Sequence, residues 1–99
     1  MADEVVDIRG RLLGLRRLSV LDRLRLYEAA GAELSRNDRW LGLAVLAASV
    51  AVIDGVPVPM PASKAGIEAA VQRLDEDGLA AVAAGLTPET KLDRTLAGN

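Results

Sequence analysis

Residues 40–53, WLGLAVLAASVAVI, form an apolar run that ends in Asp54-Gly55, after which valine and proline alternate through VPVPMP. No other feature constrains the fold as strongly. At 14 residues the run falls short of a membrane span, which needs about 20. Gly42, Ala44, Ala47, Ala48 and Ala51 keep it thin while Leu43, Leu46, Val50 and Ile53 give it bulk, so it reads as a long central helix that neighbours approach closely. Its β-branched end, SVAVI, leaves open where helix gives way to extended chain. Asp-Gly suits a two-residue hairpin turn, because both central positions must take positive φ. Pro57 and Pro59 lack amide hydrogens, which confines the second arm to a sheet edge. Without a hairpin the segment would be a polyproline-like linker.

The flanking sequence supplies the other elements. Val5, Val6 and Ile8 precede Arg9-Gly10 and Leu12, Leu13 and Leu15 follow it, the pattern of two short strands around a turn. A helical turn is the alternative for RGRLLGLRRL, and Gly10 and Gly14 weigh against it at about 1 kcal/mol each. Ser19 and Asp22 have capping-box spacing, so a helix starts there, with Leu21, Leu24, Tyr27 or Glu28 and Gly31 along one face and Arg23, Arg25 and Glu28 in water. Gly31 to Arg36 ends it, and Asn37 or Asp38 caps the next. Ser63 caps a helix with Ile67, Ala70, Val71 and Leu74 on one face. Asp75 to Asp77 open a second short one, with Leu79, Val82, Ala83 and Leu86 as its apolar contacts. The expected architecture is α+β and mainly helical: an N-terminal β-hairpin, a long central helix, a short Asp-Gly hairpin and a C-terminal helix pair. Residues 1–86 would form a single domain, and 87–99 a flexible or partner-dependent tail.

The 99-residue chain has no cysteine and no histidine, which removes thiolate nucleophiles, the usual zinc ligands and the commonest general base. No catalytic residue, cofactor or metal is expected. The acids Asp75, Glu76 and Asp77 suit a helix N-terminus by the macrodipole alone, and the sequence after them turns apolar where a calcium loop needs oxygen ligands. Asp22, Glu28 and Asp54 are the remaining candidates for a carboxylate base. MADEVVDIRG lacks the basic-then-apolar order of a secretory signal, so the cytoplasm is the expected compartment.

Net charge is −2, yet six arginines and one acid lie between Ile8 and Arg25. Such a run can neutralise phosphates, or form a solvated basic face that meets an acidic protein. The acidic whole and the lack of stacking aromatics nearby favour the second. Trp40 is the sole tryptophan, either a lid on the core or an interface anchor. Val56, Val58 and Met60, beside the prolines, are either core or an apolar docking strip. The candidate partner-binding set is therefore Trp40, Val56, Val58, Met60, Arg16, Arg17 and Arg23.

Three segments carry a resemblance: DIRGRLLGLRRLSVLDRLRLYEAAG, NDRWLGLAVLAASVAVIDGVPVPMP and IEAAVQRLDEDGLAAV. In pattern and order, over roughly residues 5–84, the chain resembles the small tail assembly chaperones of tailed phages and prophages. The resemblance implies a non-enzymatic helper that binds the tape measure protein before the tail tube polymerises around it, possible self-association, and a bacterial host cytoplasm. It supplies no catalytic signature. A small regulatory nucleic-acid-binding protein using the arginine-rich N-terminal segment is the alternative.

Overall fold

The computed structural model describes residues 3–86. The expected tail at 87–99 lies outside the described residues. The class is α+β, as expected, with strands β1 (Glu4–Val6), β2 (Leu12–Leu15), β3 (Val50–Ile53) and β4 (Val56–Pro57) and helices α1 (Val20–Leu34), α2 (Asp38–Ala48) and α3 (Lys64–Leu86).

The strands form one antiparallel sheet in the order β1-β2-β3-β4. The expectation of two separate hairpins missed the pairing between them, in which Leu13 lies opposite Ile53 and Leu15 opposite Val50, with an irregularity at Gly14/Leu15. Asp54 and Gly55 form the last turn at φ 49° and 84°, the doubly left-handed geometry that matches strand twist. β4 is an edge, as Pro57 requires; it pairs with β3 through Val56 and Pro57, and the Val58 amide just beyond donates to the Ala51 carbonyl at 2.7 Å.

The long central helix expected over residues 40–53 requires correction. α2 stops at Ala48, and the β-branched VAVI that follows is strand β3. Buried Ser49 makes the switch: its hydroxyl donates to the Val45 carbonyl at 2.7 Å and its own carbonyl accepts from the Arg16 amide at 2.7 Å, passing the chain from helix to sheet. The start of α2 is capped by Asn37, whose side chain accepts from the Trp40 amide.

Two helices are broken inside. Gly31 at φ 87° interrupts α1. Asp75 at φ 57° divides α3, so its two halves form the helix pair. Ser63 accepts from the Gly66 amide at the head of the first half.

Leu13, Val50 and Ile53 point from one sheet face into the main core with Ala47, Leu74, Leu79 and Val82. Gly85 lets α3 touch β1, since a Cβ there would stand 2.5 Å from Val5 Cγ1. A second cluster, Leu26, Ala44, Ala48 and Ile67, joins the three helices with Trp40 and Met60 packed against it. Alanine at the α2 positions is what permits the close helix approach.

Candidate protein-binding surfaces

The arginine run splits into inward and outward groups. Asp7 is fully buried and holds the first hairpin turn, accepting from the Arg9 and Arg11 amides at 3.0 and 2.9 Å and from Arg11 Nε at 2.6 Å. Burial alone would raise its pKa, but these bonds from Arg11 and Arg9 prevail and hold it below the ordinary carboxylate value. The other side of the Arg11 guanidinium donates to the carbonyls of Arg73 and Leu74, the last of the helical half before Asp75. Arg9 bridges Asp75 and Asp77 at 3.0 Å each. Arg16 donates to the Val50 and Val58 carbonyls, tying the far end of the sheet to the segment after β4. Arg9, Arg11 and Arg16 therefore bind this chain's own groups, while Arg17, Arg23 and Arg25 are exposed.

The acids have local work as well. The Asp22 carboxylate accepts from the Ser19 amide and Ser19 Oγ from the Asp22 amide, a reciprocal cap that lowers the Asp22 pKa through its bonds with Ser19. The Asp75 carboxyl is lowered by the Glu76 amide and then by Arg9. Asp54 accepts from the Leu12 amide at 2.8 Å. Among the described residues no group of three His, Cys, Asp or Glu side chains is placed to hold a metal ion.

Three open recesses gather the candidate residues. Between α2 and α3, Trp40, Leu43, Ile67 and Val71 line one of about 340 Å³, with Glu68 and Gln72 beside them. Val58, Met60 and Pro61 lie along the first half of α3 beside Gly66, Ala69 and Ala70 and bound another of about 350 Å³. Arg16, Arg17 and Arg23 come together in the third, about 300 Å³, with Leu18, Val45 and Leu86. Trp40 and Met60 are half-buried and contribute to the second cluster; Val58 packs on the main core. Val56 stands apart at 55% exposure beyond the Asp54-Gly55 turn.

The inward face of α1 also requires correction. Leu21, Leu24 and Tyr27 face water, and Leu26 and Ala30 are the buried residues. Helical spacing offers both stripes, one through Val20, Leu24 and Tyr27 and one through Leu26, Ala29 and Ala30; the smaller side chains occupy the thin space over Ala44 and Ala48. A second apolar surface, also unanticipated, is the sheet face opposite the helices, where Val6 and Leu12 pair and remain exposed. Alternation of Val5 with Val6 and of Leu12 with Leu13 was its available signal.

No family model, curated protein or solved structure matches the chain.

Proposed function

We propose that this chain is a non-enzymatic tail assembly chaperone of a tailed phage or prophage, working in the cytoplasm of the bacterial host. Its client is the tape measure protein, a long helical chain that needs its apolar surface covered until the tail tube forms. The observation that carries the reading is the open apolar recess between α2 and α3, lined by Trp40, Leu43, Ile67 and Val71 and edged by Glu68 and Gln72. An amphipathic helix docks in such a groove through apolar anchors spaced three and four residues apart. The half-buried Trp40 gives the recess a rigid wall, and the polar edge keeps the empty surface soluble.

The test is co-expression of the full chain with a tape measure protein, scored by soluble client and by co-purification. Leu43→Asp places a charge in the recess at a position already 40% exposed, so the fold is retained and capture falls. Unchanged capture by this folded variant refutes the recess as the client site. The nucleic-acid alternative draws on the exposed Arg17, Arg23 and Arg25. Duplex binding that weakens steeply with salt, together with no client capture, would replace the chaperone reading with that one.

A further inference from the structure

We propose that residues 76–86, the second half of α3, are an exchangeable element that two copies of this chain swap when the helix straightens at Asp75. This goes beyond the client reading and does not depend on it. α1 and α3 are broken by nearly the same backbone geometry: Gly31 sits at φ 87°, ψ 168° and Asp75 at φ 57°, ψ −172°. Glycine takes that conformation freely, whereas a residue with a Cβ is strained in it. Asp75 alone interrupts α3 between Lys64 and Leu86, so a continuous helix is the state its own backbone favours.

Arg11 holds the break closed by donating to the Arg73 and Leu74 carbonyls at 3.0 and 2.8 Å. A continuous helix would pair those two acceptors with the Asp77 and Gly78 amides instead, so straightening leaves neither carbonyl without a donor and relieves the strain. It also carries Leu79 and Val82 out of the core they share with Leu13, Val50 and Ile53, a loss that keeps an isolated chain closed. A second copy makes good the loss. Its residues 76–86 enter the vacated place with the same partners: Leu79 and Val82 in the core, Gly85 against Val5, Asp77 on Arg9. Each copy gives and receives the same element, so the exchange closes as a two-fold dimer, and a strained hinge favours such exchange. The Arg9–Asp75 bridge, partly in water, is the smaller loss against strain relieved in both copies.

The test is refolding of the full chain from urea at low and at high concentration, followed by sedimentation velocity, with circular dichroism confirming that each variant folds. The wild type is expected to give monomer when dilute and a share of slowly exchanging dimer when concentrated. Asp75→Gly removes the strain and disfavours a straight helix, so it should raise the dimer dissociation constant by about a hundredfold, a factor of roughly ten for each copy. Asp75→Ala keeps the strain and favours the straight helix, so it should lower that constant. Val5→Cys/Gly85→Cys identifies the exchange: a Cβ at Gly85 stands 3.8 Å from Val5 Cβ, the spacing of a disulfide, and the chain holds no other cysteine. In a swapped dimer the bond joins two chains and leaves a two-chain band on a non-reducing denaturing gel; in a monomer it closes within one chain. A wild type that refolds as monomer at every concentration, a dimer whose disulfides lie within single chains, or an Asp75→Gly dimer as tight as the wild type would each overturn the proposal. Loss of dimer by Asp75→Gly with client capture intact separates this exchange from the α2–α3 recess.

Discussion

Arg11 and Asp7 form an ion pair of 2.6 Å in which the carboxylate is fully buried, and the same guanidinium closes the end of a helix more than 60 residues away by donating to the Leu74 carbonyl at 2.8 Å. One side chain thus joins the first hairpin turn to the break in α3. Removing it leaves a buried carboxylate without its counter-charge and two helix-end carbonyls without a donor, a combination that costs more than losing an exposed pair. Arg11→Leu is expected to lower the urea midpoint well beyond Arg9→Ala, whose ion pairs are partly in water. Arg11→Lys should recover only part of the loss, because an ammonium lacks the planar fork that serves both sides. Equal midpoints for Arg9→Ala and Arg11→Leu would refute this ranking.

Stability should fall in acid. Asp7, Asp22 and Asp75 all titrate below the ordinary aspartate value of 3.8 in the folded chain. Their contribution is complete above that value and is lost as pH drops through the lower folded values. Urea unfolding should therefore give similar midpoints from neutrality to about pH 5 and a steep decline below about 4. Asp22→Asn, which removes one of these titrations, should make the decline shallower.

Gly85 is a contact position. Adding a methyl group there drives it against Val5 on β1, so Gly85→Ala should destabilise the domain by about 1–3 kcal/mol. Combining it with Val5→Ala should cost less than the sum of the two single changes, because the second makes room for the first. Additive midpoint shifts would show that the helix moves away from the sheet instead.

Trp40 and Leu43 should separate stability from surface. Trp40 packs on Leu26, Ala44, Ala48 and Ile67, so Trp40→Ala is expected to cost about 1–3 kcal/mol, less than a fully buried tryptophan. Leu43→Asp, further toward solvent, should leave the thermal midpoint nearly unchanged. Thermal melts of the two variants decide the point, and an unaltered Trp40→Ala melt would refute the core role.

Gly55→Ala keeps the turn but places a Cβ at φ 84°, a conformation that costs about 1–2 kcal/mol for an ordinary residue. The loss should appear in the unfolding rate or the midpoint without change of fold. Gly42→Ala, at a helical position with open space around it, should be neutral or stabilising by up to about 1 kcal/mol.

The capping of α1 by Ser19 and Asp22, the cap at Ser63, the turn at Asp54-Gly55 and the edge position of β4 were legible because each is decided within four residues by backbone sterics and hydrogen bonding. The VAVI segment shows the limit of that reading: its β-branching was visible, but only pairing with β2 fixed it as strand. The sites were less legible than the elements. Helical spacing offers α1 two apolar stripes, and which one is buried depends on α2 and α3, where Ala44, Ala48 and Ile67 receive Leu26 while Leu24 and Tyr27 stay exposed. Likewise, adjacent arginines look alike in the chain, yet Arg9 and Arg11 find partners 62 to 68 residues away while Arg17 stays in water. Local chemistry determined the parts of this protein. Long-range contacts, which no local pattern encodes, decided which charges are structural and which apolar faces remain open to another chain.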